Sequence, residues 1–173
     1  AATSGSAQTV NALIENGASV NATDGSGTTP LHWVSRTGDA EIAAILIENG
    51  AEVNKQDFHG GSALHFAAGR GHCSILSLLL ANGADVGIRT SLIRSTPLHS
   101  AAGGEDPQCR EAVRLLISAG ANINCGDHDG KTPLDRAYQP EIAAILREHG
   151  GRKKDPCKRS EEHTSELQSL LII

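Results

Sequence analysis

A leucine followed by a polar residue recurs through this sequence at a nearly constant interval, and this period constrains the fold more than any other feature. Leu31, Leu64, Leu98 and Leu134 are 33, 34 and 36 residues apart, and the first three precede a histidine. Gly-Ala pairs begin at positions 17, 50, 83 and 120, with a similar spacing. Such a period indicates stacked supersecondary units rather than one globular core.

The unit from 57 to 89 shows what one period predicts. Ser62 precedes a short run that contains Leu64, and a hydroxyl at this position caps the amides of a helix. A second apolar run at 75–80 is followed by Gly83, a residue that suits the left-handed end of a helix. We therefore expect two short helices per unit and a projecting hairpin-like loop to the next unit. Neither helix is stable alone, so stacking is required.

These motifs resemble the ankyrin repeat. Its Thr-Pro-Leu-His tetrapeptide stands at 29–32 and 96–99, and its Gly-Ala-Asp-Val-Asn turn is close to Gly-Ala-Glu-Val-Asn at 50–54. The resemblance covers roughly residues 7–151. It implies an all-α solenoid of stacked helix-turn-helix units with projecting hairpin loops.

We divide the chain into a partial first repeat that keeps only its second helix, three full repeats, a C-terminal capping repeat with two helices, and a tail. The corresponding ranges are 1–23, 24–56, 57–89, 90–126, 127–151 and 152–173. The fourth of these ranges carries one extra residue in its tip and three between its helices, and solenoid loops tolerate such insertions. Asp135 replaces the recurring histidine in the last repeat.

The tail is expected to be disordered or artefactual. Residues 159–169 resemble translated read-through of a sequencing-library adapter, so we exclude 159–173 from functional interpretation. A genuine amphipathic tail that ends in the apolar run 170–173 is the alternative. The chain begins with Ala1 and contains no methionine, which predicts a fragment of a longer protein.

Composition narrows the classes of function. The formal net charge of the 173 residues is −5, and no basic stripe suggests nucleic acid as a partner. No apolar run approaches the roughly 20 residues of a membrane-spanning helix. The cysteines show no paired spacing and indicate reduced thiols of a cytoplasmic or nuclear protein rather than disulfides. They are Cys73, Cys109, Cys125 and Cys157.

The sequence contains no strong motif for catalysis, metal binding or phosphate binding. His32, His65 and His99 recur at one place in the period, and the ankyrin resemblance implies that they tie adjacent loops by hydrogen bonds. Cys125 and His128 are three residues apart, which is a weak zinc signal without a second ligand pair. No nucleophile elbow or phosphate-binding glycine motif is present. We therefore predict a protein that is not an enzyme, with no cofactor and no metal.

The resemblance also implies a concave binding face, built from the hairpin tips and the exposed sides of the first helices. The predicted partner-binding residues are Trp33, Arg36, Phe58, His59, Phe66, Arg70, Leu92, Ile93, His128 and Asp129, and Ser26 and Arg136 lie on the same face. Aromatic and arginine side chains are enriched at binding hot spots. Phe58 and Leu92 have an alternative role, packing on one another as neighbouring tips stack. We expect a monomer that binds an unidentified protein.

Three functions fit these features: a scaffold for protein–protein interaction, a targeting or regulatory segment of a larger enzyme, channel or ubiquitin-ligase adaptor, and a substrate of an asparagine hydroxylase at Asn54. The third follows from the resemblance, since Asn54 has Val53 before it, Glu52 two before it and Leu46 eight before it. The alternative role of Asn54 is side-chain to backbone hydrogen bonding in the turn.

Overall fold

The computed structural model describes residues 2–154, with side chains from residue 6 onward. The adapter-like segment 159–169, the rest of the tail from residue 155 and Cys157 lie outside the described residues. Within residues 2–154 no strand forms, and one isolated bridge joins Gln56 and Ser62. The helices of this part are α1 (Ala2–Glu15), α2 (Pro30–Thr37), α3 (Ala40–Glu48), α4 (Ala63–Arg70), α5 (Cys73–Ala81), α6 (Pro97–Ala102), α7 (Cys109–Ser118), α8 (Pro133–Arg136) and α9 (Pro140–Glu148).

The helices are arranged in two layers. The inner helices α2, α4, α6 and α8 pack side by side, and the outer helices α1, α3, α5, α7 and α9 form the second layer in the same order. Each inner helix also packs on the outer helix that follows it. A continuous aliphatic core fills the space between the layers, and its fully buried members include Leu31, Leu64, Ile75, Leu76, Leu79, Leu98, Leu116, Ile142 and Leu146. The expected all-α solenoid is confirmed.

Every inner helix begins at a hydroxyl residue in an extended conformation. Thr29, Ser62, Thr96 and Thr132 each form a capping box, in which the hydroxyl accepts the amide three residues on and that residue's side chain returns to the cap amide. The reciprocal pair satisfies two amides that would otherwise lack partners at the helix start. The same spacing therefore sets the start of the inner helix in all four repeats.

The last two repeats depart from this regularity. Gly103 follows α6 with φ −84°, so the loop continues for several residues before α7 begins at Cys109. We predicted two helices in the last repeat, and α8 has only four residues. The reason is the short linker that ends in Pro140, because proline forces the preceding Gln139 into an extended conformation (ψ 134°).

The chain starts in helix earlier than the apolar pattern indicates. α1 begins at Ala2, although the first residues are small and contribute no large apolar side chain. Ala7 is buried, and the apolar side chains of Val10 and Ile14 pack against the core. α1 lies against α3, the position that the second helix of a repeat takes in the outer layer.

Candidate binding surface

An aspartate shapes three of the four loops that precede the inner helices. Oδ1 of Asp57 accepts the backbone N–H of His59 at 2.9 Å and of Gly61 at 2.8 Å. Asp24 and Asp127 accept the amides two and four residues further on in the same way. These local bonds fix the shape of each tip within its own repeat.

The tip before α6 reaches a similar shape by another route. Thr90 stands in place of the aspartate, and its hydroxyl accepts the N–H of Ser95 at 3.0 Å while its own N–H donates to the Ser95 carbonyl at 2.9 Å. Arg94 adopts φ 51°, the one positive φ of a non-glycine residue among residues 2–154. The left-handed turn accommodates the extra residue. The alignment of repeats predicts this insertion but not its conformation.

Neighbouring tips are joined by backbone hydrogen bonds. The N–H of Phe58 donates to the Ser26 carbonyl at 3.0 Å, that of Ser91 to His59 at 2.9 Å, and that of His128 to Ile93 at 2.9 Å. Each bond crosses from one repeat to the next. The four tips therefore form one continuous edge, which we call the ridge (tips at 24–28, 57–61, 90–95 and 127–131).

The recurring histidines link each inner helix to the following tip. Nδ1 of His32 accepts the N–H of Thr29 at 3.1 Å, so the ring hydrogen is on Nε2, which donates to the Gly61 carbonyl at 3.1 Å. His65 and His99 make the equivalent bonds to the carbonyls of the next two tips, each at 3.0 Å. Burial lowers the pKa of all three rings, which favours the neutral form that this geometry requires.

Asp135 takes the place of this histidine in the last repeat. Its Oδ2 accepts the N–H of Thr132 at 2.9 Å and the N–H of Lys154 at 2.7 Å. Burial opposes ionisation, but these hydrogen bonds prevail and lower the pKa of Asp135. A carboxylate fits here because the chain that follows offers an amide, whereas the tips inside the array offer a carbonyl.

A groove of about 680 Å³ lies between the ridge and the inner helices. Five of the predicted partner-binding residues line it: Arg36, His59, Phe66, Arg70 and Ile93. Small residues, among them Gly69, Ser100 and Gly103, also line it, as does Arg136. The structure thus brings half of the predicted set together in one concavity.

Trp33 and Phe66 occupy the same position in successive inner helices. Trp33 remains 46% exposed, and the guanidinium carbon of Arg36 lies 4.1 Å from the centre of the Trp33 ring, a cation–π arrangement. Phe66 is half-buried and meets the His32 ring edge-on, with 5.8 Å between ring centroids. Phe66 therefore supports the stack of repeats as well as lining the groove.

The remaining predicted residues lie on the ridge outside the groove lining. Phe58 and Leu92 are 74% and 79% exposed, so neither buries the other. Phe58 instead lies against Gly27 of the preceding tip, where a Cβ atom would come within 2.8 Å of its ring. His128 and Asp129 are exposed at the last tip, with 3.7 Å between a ring nitrogen and a carboxylate oxygen.

Asn54 connects its own turn to the turn of the next repeat. Its Nδ2 donates to the Gly83 carbonyl at 2.9 Å, and its Oδ1 accepts the N–H of Asp85 at 2.8 Å. Asn21 and Asn124 make the same pair of bonds one repeat before and two repeats after. The Asn54 side chain therefore links two repeats, whereas the sequence suggested hydrogen bonds within a single turn.

Two interactions were not predicted. Arg89 donates to the Gly126 carbonyl at 3.1 Å and contacts the Cys125 thiol, at the junction where Gly87 interrupts the asparagine series. Arg136 pairs with Asp127, whose side chain is 1% exposed, at 2.5 Å. Gly87, which stands where the other turns have asparagine, is the one signal in the sequence that distinguishes the junction at Arg89.

The Asp127–Arg136 pair fixes part of the groove wall. Burial acts to raise the pKa of the Asp127 carboxyl, and the hydrogen bonds and charge of Arg136 outweigh it, so that the pKa falls below its usual value. Arg136 consequently has a committed carboxylate partner. It differs in this respect from Arg36 and Arg70, which have no carboxylate at ion-pair distance among the described residues.

The weak zinc signal gains no support from the geometry. The Cys125 thiol faces the positively charged Arg89, and residues 2–154 contain no group of three or more His, Cys, Asp or Glu side chains placed to hold a metal ion. The described cysteines, Cys73, Cys109 and Cys125, are free thiols. Burial raises the pKa of Cys73 and Cys109, which makes their thiolates scarce.

Two layers of helix pairs, a ridge of hydrogen-bonded loops and a groove beside them define a helical-repeat protein with an extended concave surface. The family described as "Ankyrin repeats (3 copies)" matches this chain over residues 1–90 and 64–157. The chain belongs to the ankyrin-repeat family, whose repeats are protein-interaction modules.

One relative matches a short part of the chain. Over 41 residues it is 49% identical to "Zinc finger CCCH domain-containing protein 24" of Oryza sativa subsp. japonica. That segment is 24% of this chain and 5% of the relative. The match therefore covers a small part of a much longer protein. Among residues 2–154, no helix has the length and apolar character needed to cross a membrane.

Proposed function

We propose that this chain is a non-catalytic scaffold that binds a protein partner along the groove and the ridge. One observation carries the proposal: of the four Phe, Trp and Tyr residues in the sequence, three lie on this face. They are Trp33, Phe58 and Phe66; Trp33 is 46% exposed and Phe58 is 74% exposed. Aromatic side chains exposed on one concave face are typical of binding hot spots.

The test compares capture by the wild-type chain with capture by variants of each face. Trp33→Ala and the double variant Phe58→Ala/Leu92→Ala remove exposed side chains from the binding face, so the fold is expected to persist. Arg114→Ala on the outer helix α7 is the matched control, since within the described part of the chain this exposed residue forms an ion pair with the neighbouring Glu111 alone, at 3.7 Å. Proteins retained by wild type and control but lost from both face variants support the proposal; equal capture by all four contradicts it.

We propose, as the alternative, that the chain is a targeting or regulatory segment of a longer enzyme, channel or ubiquitin-ligase adaptor. Support comes from the relative, in which the matching 41 residues are 5% of the whole protein. The full-length transcript would reveal the flanking domains. An open reading frame that holds ankyrin repeats alone would exclude this alternative.

Hydroxylation of Asn54 is the third proposal. The residue is exposed, but both polar atoms of its amide are bonded to the next repeat. A hydroxylase that acts on the side chain would therefore need this link to open. Mass spectrometry of the peptide that contains Asn54, after incubation with the enzyme and its cofactors, tests it; an unchanged mass rejects the idea.

The free thiols favour a reducing compartment, and we propose a cytoplasmic or nuclear location and a monomeric state. Localisation of a tagged full-length protein and sedimentation of the purified chain would test these two points. A secreted protein or a stable dimer would contradict them.

A further inference from the structure

We propose that the groove binds an extended peptide segment of the partner, with one acidic side chain held between Arg36 and Arg70 and apolar residues on either side of it. This inference rests on the proposed function, because it assigns a chemistry to the partner of the same groove.

Two unpaired guanidinium groups point to the acidic residue. Arg36 and Arg70 lie near the C-terminal ends of α2 and α4, and both line the groove and an adjoining pocket of about 710 Å³. Arg114 and Arg136 have carboxylate partners, but Arg36 and Arg70 have none within the described part of the chain. In a chain of net charge −5, free arginines that face a groove favour a carboxylate from outside.

Arg36 is oriented for such a contact. Its guanidinium carbon lies over the Trp33 ring, 4.1 Å from the ring centre, and this cation–π contact favours one arrangement of the two side chains before any ligand arrives. The contact occupies none of the five N–H donors of the guanidinium with a carboxylate. A preoriented donor loses less conformational entropy on binding.

Two glycines that line the groove leave room for the backbone of a peptide. Gly69 lies within α4 without a positive φ, and a Cβ atom at this position would find its nearest neighbours, atoms of Ser100, at 3.6 Å. A Cβ at Gly103 would likewise meet nothing closer than 3.5 Å. Neither backbone conformation nor packing requires glycine at these two positions, although glycine is less favourable than alanine inside a helix such as α4. A local rule broken without structural need is typical of a functional position.

The surrounding carboxylates limit the ligand to a single acidic group. Glu105 and Asp106 line the adjoining pocket, and Asp57 lines the groove on the ridge side. These three charges repel a run of acidic residues or a nucleic-acid backbone. The apolar lining of Phe66 and Ile93 suits hydrophobic neighbours of the one acidic residue.

The test starts from a random peptide library displayed on phage and selected on the full 173-residue chain. We expect the enriched peptides to share one Asp or Glu flanked by apolar residues. The affinity of a synthetic peptide with the enriched sequence is then measured by fluorescence anisotropy, beside an analogue in which the acid is replaced by its amide. Loss of a hydrogen-bonded charge pair should weaken binding at least about tenfold.

Matched variants assign the effect to the two arginines. Arg36→Ala and Arg70→Ala should each lower affinity for the acidic peptide about tenfold and leave affinity for the amide analogue nearly unchanged. Arg114→Ala removes the same charge on the outer layer and should change neither affinity. Gly69→Ala should weaken binding without lowering the thermal midpoint, a combination that a merely structural position would not give.

The outcomes separate this inference from the proposed function. Enriched peptides without an acidic residue, or peptides whose affinity is lowered by Trp33→Ala but preserved by both arginine variants, overturn the inference and leave the groove as a binding site. Peptides whose affinity is unchanged by both Trp33→Ala and Arg36→Ala would contradict the proposed function, and so would a library that yields no binder. In either case the inference is overturned as well. If a single-stranded oligonucleotide bound more tightly than the peptides and its binding depended on the two arginines, the ligand of the groove would be a nucleic acid and not a peptide.

Discussion

Nε2 of His65 lies 3.0 Å from the carbonyl oxygen of Ser95, so an imidazole in one inner helix holds the tip of the next repeat. The same ring accepts the N–H of Ser62 through Nδ1 at 3.2 Å. One buried side chain thus begins α4 and fixes the distance between two repeats. The ridge and groove depend on links of this kind.

The first prediction concerns this link. His65→Ala leaves the Ser62 amide and the Ser95 carbonyl without their partners in a buried place, and each such loss costs about 1–3 kcal/mol. We expect a decrease of about 2–4 kcal/mol in the free energy of unfolding, measured by urea denaturation. His59→Ala is the control, since this residue is exposed on the ridge and its replacement should cost less than about 0.5 kcal/mol. Equal losses in both variants would refute a structural role specific to His65.

The second prediction is a loss of stability in mild acid. Burial lowers the pKa of His32, His65 and His99 in the folded state, although the nearby Asp57 opposes the shift for the first two. In the unfolded chain these rings titrate near the ordinary value of about 6.5. The unfolded state therefore binds more protons below that pH. The stability that the three neutral rings contribute is fully present above about pH 6.5. It is lost as the pH falls from there through their lowered folded-state pKa values.

Urea midpoints measured between pH 7.5 and 5 would show this decrease, each ring adding up to about 1.4 kcal/mol per pH unit while it titrates on unfolding. In His65→Ala the slope should be shallower, because one proton fewer is taken up. A midpoint that rises as the pH is lowered through this range would have the wrong sign for buried neutral histidines.

The third prediction concerns the buried ion pair of the last repeat. Asp127→Ala leaves Arg136 and two tip amides without their acceptor, and breaking a buried pair of this kind costs roughly 3–5 kcal/mol. Because the guanidinium is partly exposed and can regain water, we expect about 2–3 kcal/mol in thermal or chemical denaturation. Asp129→Ala, with an exposed carboxylate in the same tip, should stay within about 0.5 kcal/mol of wild type. A similar cost in both variants would mean that the pair contributes nothing particular.

The fourth prediction uses the interrupted asparagine series. Gly87 occupies the position of Asn54 and has no positive φ, so an asparagine fits its backbone. Gly87→Asn should raise stability by about 0.5–1 kcal/mol, since it restricts the unfolded chain and offers the missing link to the next turn. Asn54→Ala should lower stability by about 1 kcal/mol. A destabilised Gly87→Asn chain would show that this junction requires glycine for another reason.

The inner-helix starts and the tips were the most predictable parts, because local chemistry decides them. Thr29 and Ser62 cap helices through bonds to residues three positions away, and Asp57 shapes its tip through bonds within five residues. The helix ends were less predictable. α8 is one turn long because Pro140 and a short linker stop it, and the residues that stop it lie beyond the repeat motif.

The candidate binding surface likewise has features that the sequence predicts and features that it does not. The period placed Trp33 and Phe66 at equivalent positions of successive inner helices, so their shared face followed from the sequence. Which arginines remain unpaired did not follow. Arg136 is committed to Asp127, while Arg36 stacks on Trp33, and both outcomes depend on side-chain directions that no motif fixes.

By itself, the sequence indicated that this protein is a stack of helix pairs, because a hydroxyl cap and a following leucine recur with a period near 33 residues and a single unit cannot bury its apolar stripes alone. Only the tertiary structure decided what the stack presents. The histidine and asparagine side chains bond to residues about thirty positions away, and the free surface of the groove is what remains after those long-range contacts are made.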